Sequence, residues 1–317
     1  GQLRNPLMDA AGSCCSNRLA LVIVSYRSEC WLPRCLETVY SGEFEGRCWL
    51  IDNDSLSSGL RDDLLARYPL VSYHRTGENL GFGGANNLGI QFAVDTGADI
   101  VGLINPDIWL EPGWCPAIVA AFEKTPGVGL VAPLQLRYEN DEPAEWTRGA
   151  LGIKSLGDPR LSKALIHAEW LEASAAFIKR EVFEAIGGFD PLFKLYYEDN
   201  DLCRRARLAG FAHAVVPAAR YHHFGGATLD GRWGTKRRVL CDLGQVLYTL
   251  TEPGRSGWRN LFDFIRLVGR RMRSWLAGEY QGYPKFLWNA LLLVILNQQP
   301  IYRKRQRDIR LVKDRAI

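Results

Sequence analysis

The segment "DIVGLINPD", residues 99–107, is a continuous apolar run that ends in the polar triplet Asn-Pro-Asp. Two similar runs precede it, "LALVIVSY" at residues 19–26 and "CWLIDNDS" at residues 48–55. Continuous apolarity is typical of strands that are covered on both faces. The three runs therefore predict buried β-strands, each with polar residues at its carboxyl end.

Helix-like segments at residues 31–40, 59–68 and 85–96 alternate with these strands. An alternating β/α order predicts an α/β domain with a mostly parallel sheet flanked by helices. Ligands of such sheets bind at the carboxyl ends of the strands. The polar triplets at residues 52–54 and 105–107 are therefore predicted to face one crevice.

The composition limits the class of protein. Of 317 residues, 47% are hydrophobic and 23% charged, as expected for a globular protein of one large domain or two smaller ones. A net charge of +4 is too small to indicate a nucleic-acid-binding protein. Eight cysteines with no CxxC pair and no zinc-ligand spacing predict reduced thiols, with a disulfide left open. The first 17 residues lack the apolar core of a signal peptide, which predicts a cytoplasmic protein.

Three regions are expected along the chain. Residues 1–18 are predicted to be a mobile leader, residues 19–230 the α/β domain, and residues 231–317 a helical C-terminal region. The basic residues crowd into the last of these regions.

The C-terminal region has an amphipathic pattern, with apolar residues at helical spacing between basic ones. Its longest apolar run, at residues 286–296, is shorter than the ~20 residues that span a bilayer. For residues 257–317 two interpretations remain open: peripheral contact with an anionic membrane, at its inner face, or core packing with a basic exterior. The basic run at residues 302–315 is typical of a solvated helix face.

Two motifs near the first strands each allow two interpretations. The motif "ENLGFGGANN", residues 78–87, places three glycines before a helix. Their backbone N–H groups either approach a phosphate or belong to a simple turn. In "IDNDS", residues 51–55, Asp52 and Asn53 either hydrogen-bond to a nucleobase or ribose or cap the following turn.

The Asn-Pro-Asp triplet is a candidate metal site. Pro106 has no N–H group and holds Asn105 in an extended conformation, so the strand ends and Asp107 can turn outward. A hard cation such as Mg²⁺ or Mn²⁺ needs only one or two carboxylates when a diphosphate supplies further oxygens. An Asx turn is the alternative. Further along, His222 and His223 form a potential imidazole ligand pair.

Three acids open a predicted helix in "YYEDNDLCRRARLAG", residues 196–210. Acids complement the helix dipole, but three in four residues exceed what a cap needs. Arg204 and Arg205 lie about one turn further on and are predicted to pair with Asp201. Glu198 and Asp199 are then left at the start of the helix.

Six motifs in the same order resemble the bacterial family 2 glycosyltransferases of the rhamnosyltransferase-like branch. The resemblance covers residues 19–228, and its motifs are "VIVSY", "IDNDS", "ENLGFGGANN", "LINPDI", "GGFDPLFKLYYEDNDLCRRARLAGF" and "VPAARYHHFGGAT". It implies a GT-A fold, which is α/β with a Rossmann-like sheet, followed here by the helical extension. It also implies a nucleotide-diphosphate-sugar donor, a divalent metal, Mg²⁺ or Mn²⁺, and inversion at the anomeric carbon.

The resemblance assigns a role to each motif. Asp199 matches the catalytic base, the second acid of the pair that it forms with Glu198, and an exposed Asp with a pKa near ~3.9 is ionised at pH 7. Asp107 and His223 match the metal-binding positions, and His222 is the less favoured histidine. Positions that match nucleotide-sugar-binding residues are Ser25, Tyr26, Asp52, Asn53, Asn79, Gly81, Phe82, Gly83, Gly84, Asn105 and Asp107.

The acceptor side departs from the family pattern. Family members often have Trp-x-x-Gly-Ala, whereas here Trp170 and Glu172 are followed by Ala173-Ser174. Trp170 and Glu172 are the candidate acceptor residues, and the acceptor's identity stays open.

The predicted function is transfer of a sugar to a bacterial cell-surface polysaccharide or a polyprenyl-linked glycan precursor. The resemblance favours L-rhamnose from dTDP-rhamnose. A UDP-hexose or UDP-N-acetylhexosamine donor is the first alternative. The second is a non-catalytic protein that binds a glycan or a nucleotide sugar.

Overall fold

A computed structural model describes residues 18–41, 43–225, 234–280 and 282–314. Within these ranges the chain forms nine strands and eleven α-helices. The expected leader lies outside the described residues except for Arg18, and the expected boundary between residues 230 and 231 also lies outside them.

The first half alternates strands and helices as predicted. Its strands are β1 (Leu19–Ser25), β2 (Cys48–Asp52), β3 (Val71–Arg75) and β4 (Ile100–Ile104), and its helices are α1 (Leu32–Tyr40), α2 (Ser58–Arg67) and α3 (Gly81–Asp95). The strands lie in the order β3-β2-β1-β4 and all run parallel. The three predicted strands are confirmed as β1, β2 and β4, each shorter than its apolar run.

β1 illustrates why these strands have uninterrupted apolar sequences. Leu21 and Ile23 pack in the core on one face of the sheet, and Ala20 and Val22 pack in the core on the other. On the second face α3 lies so close that a Cβ atom added at Gly89 would be 2.3 Å from Val22. Every residue of β1 is therefore buried.

The second half of the sheet is mixed. Its strands are β5 (Ile108–Leu110), β6 (Val128–Arg137), β7 (Ile166–His167), β8 (Ala175–Lys179) and β9 (Ala212–His223), and its helices are α4 (Trp114–Lys124), α5 (Glu145–Leu151), α6 (Arg180–Ile186) and α7 (Glu198–Leu208). From β4 the order continues as β8-β6-β9-β5, and β7 also pairs with β9.

The direction of β8 contradicts the prediction of a mostly parallel sheet. β8 runs antiparallel to both β4 and β6. The reason is that the chain re-enters the sheet at the end where β4 finished, with Ala175 opposite Ile104. The prediction is therefore right for β1 to β4 and wrong beyond them, where only β6 and β9 pair in parallel.

The C-terminal region consists of α8 (Gly234–Leu250), α9 (Gly257–Leu276), α10 (Tyr283–Leu296) and α11 (Gln298–Asp314). The helices α8, α9 and α10 share a small apolar core of their own. No helix within the described ranges has both the length and the apolarity needed to cross a membrane.

The last helix, α11, packs against α7 of the α/β half. Lys304 on α11 places Nζ 2.7 Å from Asp201 Oδ1 and 2.8 Å from Asp308 Oδ2. Lys304 and Asp308 are both buried. The interpretation of the basic run as a solvated helix face is therefore wrong at these two positions.

Candidate active site

The carboxyl ends of β1, β2 and β4 border a cavity of about 1160 Å³. The cavity brings together predicted site residues that lie up to 197 positions apart, as the crevice at the strand ends required. Those that line it are Tyr26, Asn53, Asn79, Gly81, Phe82, Asn105, Asp107, Glu172, Glu198, Asp199 and His223.

Asp52, at the end of β2, does not line the cavity. Its Oδ1 atom accepts hydrogen bonds from the N–H groups of Ser55 (2.8 Å) and Leu56 (3.1 Å). Its Oδ2 atom accepts one from the Tyr73 hydroxyl group at 2.7 Å. Both carboxylate oxygens of this buried residue thus hold the turn after β2.

That turn places Asn53 at the cavity. Asn53 Oδ1 accepts a hydrogen bond from the N–H group of Leu80 at 2.8 Å, and its Nδ2 group donates to Asn79 Oδ1 at 2.9 Å. Asn79 Oδ1 also accepts from the N–H group of Gly81 at 2.8 Å. The two asparagines therefore join the end of β2 to the start of α3.

The three glycines form the first turn of α3 and not a loop before it, as had been expected. Gly81 has a φ angle of +73°, a left-handed conformation that glycine adopts without strain. A Cβ atom added at Gly83 would lie 3.0 Å from Phe189, and one added at Gly84 would lie 3.2 Å from Leu80. Gly83 and Gly84 do not line the cavity, and their small size serves packing.

Two other predicted residues also lie behind the cavity wall. The Ser25 hydroxyl group is 2.8 Å from that of Ser28, and both residues are buried. Trp170 packs edge-on against Trp146, with ring centroids 5.8 Å apart. Trp146, which the sequence analysis missed, is the tryptophan that lines the cavity.

Asp107 and His223 meet because of the register of two strands. Asp107 directly precedes β5, His223 ends β9, and Ile108 of β5 lies opposite His223. His223 Nε2 is 3.5 Å from Asp107 Oδ1, and the two side chains are only 10% and 7% exposed. His223, and not His222, is thus the histidine beside the Asn-Pro-Asp triplet.

The chemistry of this pair fits a divalent ion. Two ligands each about 2.1 Å from one ion in neighbouring positions lie about 3 Å apart, close to the observed separation. Behind the histidine, Gln135 Nε2 is 3.0 Å from His223 Nδ1, and Gln135 Oε1 is buried without a hydrogen-bond partner among the described residues. Turning the amide by 180° lets Oε1 accept the Nδ1 proton, which leaves Nε2 as a metal ligand.

His222 faces the opposite side of β9. Its Nδ1 atom is 2.8 Å from the carbonyl oxygen of Arg137, and its Nε2 atom is 3.0 Å from Glu111 Oε1. Glu111, His222 and Asp141 have potential ligand atoms within 4.8 Å of one another. The Asp141 side chain is 82% exposed, and the two contacts of His222 account for its orientation.

Glu198 and Asp199 begin α7 after an unusual turn. Tyr196 and Tyr197 both have left-handed φ angles, of 66° and 69°, which cost energy for residues with a Cβ atom. Gly244 of α8 packs closely on this turn, since an added Cβ atom there would lie 2.7 Å from the carbonyl oxygen of Tyr196. The C-terminal region thus supports the turn that directs the two acids into the cavity.

Asp201, one turn into the same helix, pairs with the two arginines as predicted. Its carboxylate is 3.1 Å from Arg204 Nη2 and 2.8 Å from Arg205 Nε. Burial alone would raise the pKa of Asp201, but Arg205, Lys304 and Arg204 lower it to about 2. The cation from α11 was not predicted.

The acid pair does not titrate as exposed carboxyl groups do. Burial raises the pKa of Asp199 to about 6, with Glu172 adding to the rise and the Asn200 N–H group opposing it. Burial and the charge of Asp199 raise the pKa of Glu198 to about 8. The expectation of an exposed Asp199 is therefore wrong. At pH 7 Asp199 is the ionised member of the pair and Glu198 is neutral.

Four basic side chains that the sequence analysis missed also line the cavity: Arg27, Arg137, Lys194 and Arg237. Arg27 follows β1 directly, so its position beside the predicted crevice was a usable signal. Arg137 ends β6, which was not predicted, and Arg237 belongs to the region assigned to a separate helical unit.

The architecture is that of a GT-A glycosyltransferase. The solved structure of the mannosyltransferase PcManGT from Pyrobaculum calidifontis, in complex with GDP-Man and Mn²⁺, is similar with a TM-score of 0.57 and 13% sequence identity. The match covers 94% of this chain and 86% of that one.

The chain belongs to glycosyl transferase family 2, whose model matches residues 20–187. An N-acetylglucosaminyl-diphospho-decaprenol L-rhamnosyltransferase of Mycobacterium tuberculosis is 28% identical over 233 residues, covering 65% of this chain and 75% of the relative. The rhamnosyltransferase WbbL of Escherichia coli is 23% identical over 221 residues, covering 64% and 82%. The protein is thus a glycosyltransferase of the rhamnosyltransferase-like branch.

Proposed function

We propose that this protein is an inverting, metal-dependent rhamnosyltransferase. The donor is dTDP-L-rhamnose, and the acceptor is a hydroxyl group of a polyprenyl-linked glycan precursor of the bacterial cell surface. One observation carries the proposal: the buried carboxylate of Asp199 and the Asp107–His223 pair line the same cavity. The names of the two relatives support the choice of sugar, and that of the mycobacterial one supports the lipid-linked acceptor.

The proposed reaction is a single displacement. The acceptor oxygen forms a bond to the anomeric carbon while the bond from that carbon to the diphosphate oxygen breaks, and the diphosphate leaves with the electron pair. Asp199 accepts the proton that the acceptor hydroxyl group loses. A base with a pKa near 6 is ionised at neutral pH and is more basic than an ordinary aspartate, which favours this transfer.

Glu198 has a different role in this scheme, because it keeps its proton at pH 7. Its Oε2 atom is buried without a hydrogen-bond partner among the described residues. A neutral carboxyl group can donate a hydrogen bond to a sugar hydroxyl group beside the base without repelling the charge of Asp199. We assign Glu198 to orienting the reacting sugars.

The leaving diphosphate carries the largest charge in the reaction. Asp107 and His223 would hold Mg²⁺ or Mn²⁺, and the bound ion neutralises charge on the leaving group. The cavity arginines and Lys194 are suited to bind the same phosphate oxygens. Asn105 is assigned a supporting contact to the donor.

The nucleoside is assigned to the end of the cavity formed by Tyr26 and the Asn53–Asn79 pair. Tyr26 offers an aromatic face, and Phe82 lies at the start of α3 nearby. Ser25, Asp52, Gly83 and Gly84 act indirectly in this proposal, through the turns and helix packing described above.

The acceptor is assigned to the side where Glu172 and Trp146 line the cavity. Glu172 Oε1 is 3.9 Å from His223 Nδ1, so it lies between the proposed metal site and the acid pair. Trp170 supports Trp146 from behind.

The decisive experiment incubates the purified protein with Mn²⁺, a polyprenyl-diphospho-N-acetylglucosamine acceptor and each of several nucleotide sugars. We expect transfer from dTDP-rhamnose, with NMR showing inverted anomeric configuration. Transfer only from a UDP-hexose or UDP-N-acetylhexosamine would keep the chemistry and replace the donor. Binding of nucleotide sugars with no transfer to any acceptor would refute the enzymatic proposal and favour a binding protein.

A further inference from the structure

The helix α9 has three distinct sides. Successive helical residues are about 100° apart, so Trp258, Phe262, Ile265, Met272 and Leu276 fall within one sector about 80° wide. All five are exposed, Trp258 by 83% and Leu276 by 70%. The side that packs against the protein, with Asn260 and Leu267 buried, lies opposite. The apolar stripe of α9, formed by these five residues, therefore faces away from the core.

A ridge of arginines runs along one flank of this stripe. Arg259, Arg266, Arg270 and Arg273 fall in a sector about 60° wide, centred about 100° from the stripe. All four are exposed, and within the described part of the chain none lies within ion-pair distance of a carboxylate. The nearest acid on the helix, Asp263, pairs with Arg255 at 2.6 Å.

The neighbouring helix α10 continues the apolar character. Trp288 is 64% exposed, and Leu291, Ile295 and Leu296 are exposed as well. Tyr283 at the start of α10 stacks on Trp275 near the end of α9, with ring centroids 5.5 Å apart. The two helices thus present large apolar side chains, including three tryptophans, without burying them in the described protein.

We propose that α9 and α10 form a docking surface for the face of an anionic lipid bilayer. The apolar stripe would enter the region between headgroups and acyl chains, the tryptophans would lie at the interface, and the arginine ridge would contact lipid phosphates. A second copy of this chain is the less suitable occupant, because a two-fold interface over the stripe would bring two arginine ridges together.

This surface is tied to the cavity through α8. That helix packs against both α9 and α10, and its Arg237 lines the cavity. Docking would therefore hold the cavity near the membrane surface. The inference stands on the surface alone and does not depend on the proposed reaction, although a lipid-linked acceptor would be presented at the same place.

Flotation of the full chain with vesicles tests the inference. The vesicles are phosphatidylcholine alone, or phosphatidylcholine and phosphatidylglycerol in equal amounts. We expect binding to the anionic vesicles, with Phe262→Ser/Ile265→Ser lowering the partition coefficient at least about tenfold. Arg266→Gln/Arg270→Gln should lower it about 25-fold on anionic vesicles only, at about fivefold per charge.

Matched controls are Leu70→Ser, an exposed leucine of the α/β half, and Lys154→Gln/Lys163→Gln, two exposed lysines. These controls should bind like the parent protein. Equal binding by all variants, or no binding to anionic vesicles, would overturn the inference. So would a dimer in sedimentation that the Phe262/Ile265 variant abolishes, since the surface would then belong to a second copy.

Transfer to a water-soluble acceptor analogue separates this inference from the proposed function. The stripe variants should keep the parent rate in that assay and keep the parent thermal unfolding temperature. Normal flotation without transfer in any protein would refute the proposed function and leave the docking surface standing. Transfer with no lipid binding would do the reverse.

Discussion

The α/β half and the helical C-terminal region differ in charge and in what they expose. Residues 257–317 contain thirteen basic and four acidic residues, whereas residues 1–256 contain 26 basic and 31 acidic ones. Of the sixteen large hydrophobic side chains that are exposed among the described residues, thirteen lie in residues 257–317. The first region keeps apolar surface inside and shapes a polar cavity, and the second presents apolar and basic surface together. Variants that disturb one region and spare the other can test this contrast.

The largest effect is expected at the proposed base. Asp199→Asn removes the proton acceptor and should lower kcat about 1,000-fold, because general base catalysis contributes on that order. Donor affinity, measured by calorimetry, and vesicle flotation should stay unchanged. The control is Asp63→Asn, an exposed acid of α2. Retained turnover in Asp199→Asn would remove Asp199 from the base role.

The contact between the regions comes second. Lys304→Met leaves the carboxylates of Asp201 and Asp308 buried without their shared cation, and breaking such a buried pair costs about 3–5 kcal/mol. Urea unfolding should show this loss for the α/β half as well as for the helices. Lys285→Met, an exposed lysine of α10, is the control and should be nearly neutral. A change limited to the helical region would mean that the two regions unfold independently.

The metal site should respond without any change in lipid binding. His223→Gln removes one of two protein ligands and should weaken Mn²⁺ binding about 100-fold, at or beyond the effect of losing an outer-shell partner. Titration followed by electron paramagnetic resonance measures this directly. His167→Gln, at an exposed histidine, should bind Mn²⁺ like the parent. Equal affinity in both variants would exclude His223 as a ligand.

Acid should destabilise the protein through Asp201. Its folded pKa of about 2 is below the ordinary value near 3.9, so its ionised form stabilises the fold above about pH 4. That contribution, about 2–3 kcal/mol, is lost as the pH falls from about 4 to 2. Thermal unfolding over this range should lose the Asp201 part of its pH dependence in Asp201→Asn. An identical pH dependence in both proteins would assign the acid response elsewhere.

The smallest expected effect is the shape of the pH–rate profile. Below a pKa of about 6 the rate should fall tenfold per pH unit as Asp199 becomes protonated, and above about 8 it should fall as Glu198 loses its proton. Glu198→Gln keeps a neutral side chain, so the fall above pH 8 should disappear while the lower limb remains. A profile with the same upper limb in this variant would show that another group causes it.

Local sequence pattern predicted the parts of the fold that depend on neighbouring residues. Continuous apolar runs located β1, β2 and β4, and helical spacing identified the pairing of Asp201 with Arg204 and Arg205. The strand-end rule also placed the crevice correctly. Each of these features is set by side chains within a few residues of one another, or by a rule that applies to every parallel sheet.

What could not be predicted depends on contacts between distant segments. The antiparallel direction of β8 follows from where the chain returns after some 70 residues. The raised pKa of Asp199 follows from burial beneath segments on both sides of it in the sequence. Lys304 looks like any solvated lysine in a basic run until its helix is docked on α7. The site roles taken from the family resemblance remain predictions.

The link between Lys304 and Asp201 has a consequence for biosynthesis. The ribosome makes the helix that bears the two active-site acids about one hundred residues before it makes Lys304, which completes the charge balance beside them. A nascent chain that ends before this lysine lacks one of the three cations that lower the pKa of Asp201. The start of α7 is therefore expected to gain its final order only after α11 has emerged, so the enzyme matures from its C-terminal side.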